Sequence, residues 1–383
     1  MSAVYLDHAA TTPIADEVLN HLTSLYKTPV ANSSSSHTEG IKALALLNQA
    51  RAQVAQKLGC EADEVYFTSG GTEGNNWIIQ RTILDAYPHF AKESRKPHLL
   101  TSSIEHSSVT NVAEWLSQNG FAEWSQLPVD SYGFVLPEVL EKHLKPNTVL
   151  VSIVHGNNEI GTIQKLESLG AICRKHDVLF HTDACQSFCH TGFTANALPV
   201  DFMTLSGHKI RGPKGVGAVY IRRGIELSAL FLGGKQERGL RPGTTSVELA
   251  SAFAAATAVW NDSVVKNVQE IRSYAIQSLT ENIPGVIING AANDSLCHVL
   301  SFTVPDVNSN ILHKALAETG VACSTGAACG TGKSNHSAVL LALGRDETTA
   351  HQIRISFSPS TQTQTIDLFM EQLTKVLKAL AAK

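Results

Sequence analysis

The chain has 383 residues, of which 43% are hydrophobic and 17% are charged, and its formal net charge is -4. This length favours two domains over a single core, and the slight negative charge gives no support to nonspecific binding of nucleic acid or a membrane surface. The seven cysteines are scattered, the N-terminal segment has no apolar signal core, and no apolar run approaches the ~20 residues of a membrane span. We therefore expect a soluble cytoplasmic protein with free thiols.

Short apolar runs alternate with helical patterns through the first two thirds of the chain. The helical periodicity of Ile41 to Leu58 is predicted to stop at Gly59. The runs EVYFTSG, HLLTSS, TVLVSIVHG, DVLFHTDA, VDFMTLSG and GAVYIRR are predicted to be buried strands, with helices such as TEGNNWIIQRTIL and QKLESLGAICRKH between several of them. This alternation predicts an α/β protein with a mostly parallel sheet flanked by helices.

The pattern changes after about residue 250. A long helical run from Val247 to Leu279 precedes the strand-like segments GVIING, CHVLSFTV and QIRISFS and a final amphipathic helix. We interpret this region as part of a smaller α+β domain. The predicted division is a large domain over residues 15–255 and a small domain formed by residues 1–14 and 256–383.

Polar residues follow several predicted strands, at the sheet edge where ligands bind in such folds. After EVYF, Gly70 and Gly71 allow a ligand to approach the backbone, and Thr72 is predicted to cap the next helix and offer its hydroxyl to an anion. An ordinary capped turn explains this segment equally well. His106 follows HLLTSS and Asn158 follows TVLVSIVHG, and each of these also has a purely structural explanation.

The segment HTDACQSFCH could be read as a metal site or as the end of a buried strand. Asp183 ends the apolar run, and a buried carboxylate needs a cationic partner. The spacings of His181, Cys185, Cys189 and His190 match no common zinc pattern, so no metal site is predicted.

Lys209 follows the strand VDFMTLS within the glycine-rich turn SGHKIRGPKGVG. A lysine drawn into a pocket can have its pKa lowered and act as a nucleophile. The competitor Lys214 lies in GPKG, which is typical of a surface turn. A lysine, an aspartate, a histidine and an anion-binding turn on successive strand ends are the parts that a pyridoxal phosphate site requires.

The sequence resembles the cysteine desulfurases, which are class V aminotransferase-like enzymes that use pyridoxal 5'-phosphate. The resemblance covers nearly the whole chain and rests on YLDHAATTP, NSSSSH, FTSGGTEGNN, EHSSV, NNEIGTIQ, HTDACQS, SGHKIRGPKGVGAVY, GGKQERGLRPGT, ACSTGAACGTG and IRISFS. It implies the pyridoxal-phosphate-dependent transferase fold of type I. It also implies removal of sulfur from L-cysteine, which gives L-alanine and a persulfide on a loop cysteine.

The resemblance implies a role for each candidate residue in holding the cofactor. Lys209 binds the cofactor covalently, and His106 stacks on its ring and moves protons. Asp183 pairs with the ring nitrogen, and Gln186 contacts the phenolic oxygen. The residues implied in the remaining cofactor contacts, mostly to the phosphate, are Thr72, Ser206, His208 and Asn158, with Thr244 supplied by the other subunit of a homodimer.

The resemblance also implies how the substrate is held. Its carboxylate is bound by Arg354 and Asn158, with help from Asn32. Arginine suits this task because its planar fork makes two parallel hydrogen bonds to a carboxylate.

The nucleophilic thiol is assigned to Cys329, in the segment STGAACGTGKSNHS. The GKS in this segment does not complete a nucleotide-binding loop, because Ala327 stands where that motif requires glycine. Small residues on both sides of Cys329 predict mobility, which would let the thiol reach both the cofactor and an exposed acceptor protein. The attacking species is the thiolate, and His106 is the candidate that lowers the thiol's pKa. Lys333, Asn335 and His336 give the segment an unusual chemistry, which favours a specialised sulfur acceptor.

Two alternatives and one open question remain at this stage. The same fold could house a selenocysteine lyase or another β-eliminating enzyme, or the chain could be a sulfur-carrier scaffold without catalysis. Iron–sulfur cluster assembly, tRNA thiolation, thiamine or molybdenum cofactor synthesis and DNA phosphorothioation all draw on persulfides. The sequence does not distinguish among these pathways, and it shows no basic patch for direct contact with nucleic acid.

Overall fold

A computed structural model describes residues 4–28, 30–326, 336–346 and 350–382. Its helices are α1 (Asp16–Lys27), α2 (Thr38–Leu58), α3 (Gly71–Lys92), α4 (Ser107–Gln118), α5 (Pro137–His143), α6 (Leu166–Lys175), α7 (Val247–Thr257), α8 (Asp262–Asn282), α9 (Ser309–Glu318), α10 (Ala338–Ala342) and α11 (Thr363–Ala381). Its strands are β1 (Val4–Tyr5), β2 (Val65–Thr68), β3 (His98–Ser102), β4 (Glu123–Leu127), β5 (Thr148–Ser152), β6 (Leu179–Asp183), β7 (Phe202–Ser206), β8 (Gly217–Ile221), β9 (Ile287–Asn289), β10 (Val299–Thr303), β11 (Val321–Ala322) and β12 (Ile353–Ser356).

The central sheet has the strand order β2-β8-β7-β6-β5-β3-β4. Strand β8 pairs antiparallel with β2 and β7, and the other neighbouring strands pair in parallel. Every residue of β3, β7 and β8 is buried, as expected for apolar strands covered by helices on both faces. The prediction of an α/β fold with a mostly parallel sheet is confirmed. Strand β4 was not predicted, because its sequence EWSQL is polar and it lies at the exposed edge of the sheet.

The carboxyl ends of six strands lie at one edge of this sheet. Strands β3 to β7 run in parallel, and β2 has the same direction because two antiparallel pairings through β8 relate it to β7. Helix α3 begins at Gly71, three residues after β2 ends, so its N-terminus lies at this edge. The polar segments singled out in the sequence follow these strands.

Two smaller sheets contain the C-terminal part of the chain. One has the order β12-β10-β9, and the other pairs β1 with β11 in parallel. A bridge between Asp7 and Ser356 joins the N-terminal segment to β12, the strand that carries Arg354. Residues close to the two ends of the chain therefore meet beside the small sheets. The domain limits at residues 14/15 and 255/256 stay a prediction.

The prediction of a single helix from Val247 to Leu279 is wrong, because this segment forms two helices, α7 and α8. Trp260, between them, is 1% exposed, so its side chain is drawn into the core. Asn261 then begins α8 as a cap, since its side chain accepts a hydrogen bond of 3.0 Å from the N–H of Val264. Neither helix, nor any other in the described parts of the chain, is long and apolar enough to cross a bilayer.

Candidate active site

A cavity of about 310 Å³ lies at the carboxyl ends of the central strands, a volume at the lower end of the usual range for ligand sites. Residues from the N-terminal segment, the central sheet and β12 form its wall, so distant parts of the sequence meet there. The predicted site residues that line it are Thr72, His106, Asn158, Asp183, Gln186, Ser206, His208, Lys209 and Arg354. The cavity brings together most of the residues singled out from the sequence.

Lys209 lies on a single turn of 3₁₀ helix directly after β7. Its Nζ donates hydrogen bonds to the carbonyl oxygens of Ala9 at 2.7 Å and Ala10 at 2.9 Å. These two alanines belong to the YLDHAATTP segment and also line the cavity. The N-terminal segment therefore holds the lysine amine at the cavity wall, where it can reach an aldehyde carbon.

Asp183, at the end of β6, is 5% exposed. Its Oδ2 accepts a hydrogen bond of 2.7 Å from Nδ2 of Asn75, and its Oδ1 accepts one of 2.9 Å from the N–H of Cys185. Both donors are neutral, and a buried carboxylate is most stable beside a cation. A protonated ring nitrogen of pyridoxal phosphate fits this position, because it would supply the charge.

His106 is the N-cap of α4, and its ring lines the cavity. Nδ1 lies 2.8 Å from Oγ of Ser108 and 3.1 Å from the backbone N of the same residue. A backbone N–H can only donate, so Nδ1 is an acceptor and the neutral ring carries its proton on Nε2. His106 therefore presents a hydrogen-bond donor at Nε2.

The N-terminus of α3 forms the part of the cavity suited to a phosphate. The prediction that Thr72 caps this helix is wrong, because Gly70 occupies the cap position and Thr72 lies in the first turn. The free N–H groups of such a turn attract an anion. A Cβ on Gly71 would lie 2.5 Å from Sγ of Cys185, so only glycine lets these elements approach so closely. Ser206 and His208 line the same cavity.

His208 and Gln186 are each held by a neighbour. Nδ1 of His208 lies 3.2 Å from Oγ1 of Thr11, and burial, together with nearby Lys209, lowers the pKa of this histidine to about 4. Gln186 donates to the carbonyl of Ala9 at 2.9 Å, and its Oε1 lies 3.0 Å from Nε2 of His298.

Arg354 is 4% exposed and supplies positive charge to the cavity. Its Nη1 donates to the carbonyl oxygen of Asn158 at 2.9 Å, and its Nη2 donates to Oδ1 of Asp7 at 2.8 Å. Its Nε is buried and has no hydrogen-bond partner among the described residues. A guanidinium at the wall of a cavity suits a ligand carboxylate, because its charge complements that group. Asn32 and Thr244 are exposed and lie outside the lining of this cavity.

Cys329 and the neighbouring Lys333 and Asn335 lie outside the described residues. Burial raises the pKa of each cysteine in the described part of the chain, so their thiolates are disfavoured. These cysteines form no disulfides and are Cys60, Cys173, Cys185, Cys189, Cys297 and Cys323.

The segment considered as a possible metal site has other partners. His181 is fully buried, with Nδ1 2.8 Å from Oγ of Ser152 and Nε2 3.0 Å from Oγ1 of Thr204. Within the ranges that the structure describes, no group of three histidine, cysteine, aspartate or glutamate side chains is placed to hold a metal ion.

Three residues that support this site have no role predicted from the sequence. Asp7 pairs with Arg354, while Asn75 and Ser108 link Asp183 to His106. All three lie inside the quoted motifs YLDHAATTP, FTSGGTEGNN and EHSSV. Asn75 also lies three residues after Thr72 on a predicted helix, and residues at that spacing share a helix face. That spacing is a signal that could have found it.

The stability of the protein is expected to fall steeply as the pH drops from about 6.5 to 4. Burial lowers the pKa of five buried histidines from about 6.5 to about 4, so the folded state binds fewer protons than the unfolded chain in this window. The contribution of these histidines to the free energy of unfolding is complete above pH 6.5, and it is lost as the pH falls from 6.5 through 4. The histidines are His8, His98, His155, His181 and His190.

Glu105 opposes this trend. Burial raises the pKa of its carboxyl to about 8, so its contribution is lost as the pH rises from about 4.5 through 8 and regained on acidification. Burial also raises the pKa of the Glu159 and Asp201 carboxyls, but these three carboxyls are outnumbered by the five histidines together with His208 and His298, whose pKa values are lowered as well. Urea unfolding midpoints at pH 7, 5.5 and 4.5 measure the balance, and equal midpoints would contradict it. Glu105→Gln should steepen the acid loss.

Comparisons with known proteins agree on one family. Residues 4–369 match the family model described as aminotransferase class-V. The chain is 36% identical to the cysteine desulfurase IscS of Methanosarcina thermophila, over 99% of this chain and 93% of that protein. A solved NifS-like protein superposes with a TM-score of 0.89 at 35% identity, covering 98% of this chain and 99% of that one. The solved structure of SspA in complex with cysteine gives a TM-score of 0.82 at 33% identity, covering 94% and 99%.

Proposed function

The chain belongs to the class-V aminotransferase family and is a pyridoxal-phosphate-dependent cysteine desulfurase, and we propose that it works through the cavity described above together with Cys329. The observation that carries the proposal is the meeting of Lys209, Asp183, His106 and Arg354 around one cavity. A lysine, a buried carboxylate and an anion-binding helix end suit the cofactor, and the arginine suits an amino-acid carboxylate.

The residues that would hold the cofactor are spread over the cavity wall. Lys209 would bind it covalently, and Asp183 would pair with its ring nitrogen. The N-terminus of α3, with Thr72, Ser206 and His208, would bind its phosphate. When bound, pyridoxal phosphate supplies an electron sink that stabilises negative charge next to the substrate Cα.

Arg354 and Asn158 orient the substrate L-cysteine. The guanidinium of Arg354 would bind the substrate carboxylate, while Asp7 and the carbonyl of Asn158 keep the guanidinium in place. Binding of the carboxylate fixes the amino acid in one orientation. The entropy of ordering the substrate is therefore lost on binding and no longer adds to the activation free energy of the reaction. A relative solved in complex with cysteine supports this choice of substrate.

Cys329 receives the sulfur. Its thiolate attacks the substrate sulfur, so an S–S bond forms and the bond between sulfur and the substrate Cβ breaks. The released electron pair stays on the substrate carbon and takes up a proton. The balance is one cysteine and one protein thiol converted into one alanine and one protein persulfide. His106 presents its Nε2–H to the cavity and can donate a hydrogen bond to negative charge there.

We further propose that two copies of the chain form a homodimer in which Thr244 reaches the phosphate site of the partner. Glu237 makes a buried ion pair with Arg51 at 2.6 Å, and Arg241 pairs with Glu73 at 2.8 Å. These ion pairs attach the segment before Thr244 to helices α2 and α3, whereas Thr244 itself is exposed. A rigid, exposed position of this kind suits a contact with a second copy, which the mass in solution tests.

The sulfur acceptor is proposed to be a protein that meets the Cys329 segment. Iron–sulfur cluster assembly is one proposed pathway for this sulfur, and the cytoplasm is the proposed location. A specialised pathway such as tRNA thiolation or DNA phosphorothioation stays an alternative, because Lys333, Asn335 and His336 change the chemistry beside the thiol.

The products formed from L-cysteine test the proposed activity. The purified holoenzyme with a thiol reductant should release alanine and sulfide in equal amounts. Pyruvate and ammonia in place of alanine would identify a β-eliminating enzyme instead. Much faster release of selenide from selenocysteine would favour a lyase for that substrate. A protein that stays colourless with added cofactor and forms no alanine would be a scaffold.

A further inference from the structure

An unbroken chain of hydrogen bonds connects Asp183 with His106 beneath the cavity. Nδ2 of Asn75 donates to Oδ2 of Asp183 at 2.7 Å and to Oγ of Ser108 at 2.8 Å. Oγ of Ser108 in turn lies 2.8 Å from Nδ1 of His106. Asn75 is fully buried, Asp183 is 5% exposed and Ser108 is 9% exposed. Water therefore competes little for these bonds, which strengthens them.

The direction of each proton in this chain follows from its members. The amide of Asn75 has two hydrogens, and its two acceptors are Asp183 and Ser108. The reverse orientation of the amide would place its oxygen against the Asp183 carboxylate, which is repulsive. Oγ of Ser108 accepts from Asn75, so its own hydrogen is left for Nδ1 of His106.

Nδ1 of His106 thus receives two hydrogen bonds, since the backbone N–H of Ser108 also donates to it at 3.1 Å. A proton on Nδ1 would have to displace both donors. The chain therefore favours the neutral ring with its hydrogen on Nε2. Oδ1 of Asn75 is buried without a partner among the described residues. Only the NH₂ group of this amide therefore takes part in the series of hydrogen bonds between Asp183 and His106.

We infer that Asn75 and Ser108 are positioning residues that hold His106 as a neutral Nε2–H donor and link its orientation to the carboxylate of Asp183. The inference rests on the proposed function, in which both His106 and Asp183 face the cofactor. Neither Asn75 nor Ser108 needs to touch the reacting atoms. Their contribution is to fix which ring nitrogen of His106 donates toward the substrate.

The test is ¹⁵N NMR of histidine-labelled holoenzyme without substrate, with the His106 signals identified by their loss in His106→Gln. The wild type should show a protonated Nε2 and an unprotonated Nδ1. In Ser108→Ala we expect a measurable shift of both ring nitrogens, because one donor to Nδ1 is lost. We also expect kcat to fall by a few-fold to about tenfold, as for one buried hydrogen bond, with KM for L-cysteine little changed.

Ser107→Ala is the matched control, since it removes the adjacent hydroxyl, and it should leave the ring signals and kcat unchanged. Ser108→Thr keeps a hydroxyl and should restore kcat. A wild-type His106 protonated on Nδ1 would overturn the inference without any variant. A folded, cofactor-loaded Ser108→Ala with wild-type kcat and unshifted ring nitrogens would also overturn it.

Failure of the proposed function gives a different result. The NMR spectrum shows which ring nitrogen of His106 carries the proton, and it is recorded without substrate. A wild type that forms no alanine would therefore contradict the desulfurase activity but not the inference about Asn75 and Ser108. If Ser108→Ala does not fold, the wild-type spectrum and the rescue by Ser108→Thr still decide the inference.

Discussion

Cys329→Ser is expected to lose alanine and sulfide production from L-cysteine by at least about 10³-fold, as when a catalytic nucleophile is removed. A hydroxyl cannot form the S–S bond that takes up the substrate sulfur. The side chains proposed to hold the cofactor are Lys209, Asp183 and the residues at the N-terminus of α3, and this substitution changes none of them, so the visible absorbance of the bound cofactor should stay unchanged. The measurement is alanine formation, with mass spectrometry of the alkylated Cys329 peptide to detect the persulfide.

The matched control is Cys60→Ser, which replaces a partly exposed thiol whose pKa burial raises to about 12. It should keep wild-type activity. Cys185 is the rival thiol, because it lines the cavity. If Cys329→Ser kept its activity and the persulfide were found on Cys185, the assignment of the nucleophile would be wrong. Burial and the nearby Asp183 raise the pKa of Cys185, which argues against that result.

Lys209→Ala is expected to lose both the visible absorbance of the lysine-bound cofactor and, by at least about 10³-fold, the activity. The amine of Lys209 is held at the cavity wall by the carbonyls of Ala9 and Ala10, where it could reach the cofactor aldehyde. The measurement is the absorption spectrum after dialysis against pyridoxal phosphate, together with alanine formation. Lys209→Arg keeps the charge but should not restore the spectrum, because guanidinium does not form this bond.

Lys214→Ala is the control for this experiment, since Lys214 is exposed five residues further along the chain. It should keep the spectrum and the activity. Loss of the lysine-bound spectrum in Lys214→Ala, with Lys209→Ala still coloured, would reverse the assignment that the sequence analysis made between the two lysines.

The strands and the residues at their ends could be read from local sequence. Each central strand except β4 has an apolar run bounded by a glycine or polar turn, so the run and its end are visible within a few residues. Lys209 and Asp183 follow such runs directly, and the structure places both at the cavity. The end of α2 was also predictable, because Gly59 has a φ of 69°, a conformation that favours glycine.

The errors arose where tertiary contacts override local patterns. The helical periodicity from Val247 to Leu279 carries no sign that Trp260 is buried in the core, and that burial accompanies the break between α7 and α8. Thr72 has a capping side chain, but the tight approach of Gly71 to Cys185 sets where α3 begins. The antiparallel position of β8 likewise depends on its neighbours and not on its own residues.

The sequence by itself determined the fold class, the strand ends and most of the residues that line the cavity, because apolar patterning and turn residues act over short distances along the chain. Only the tertiary structure decided which polar groups pair. Asp7 and Arg354 are 347 positions apart, and Asn75 lies 108 positions from Asp183. A hydrogen bond requires atoms about 3 Å apart, and no local pattern records which distant residues folding brings to that distance.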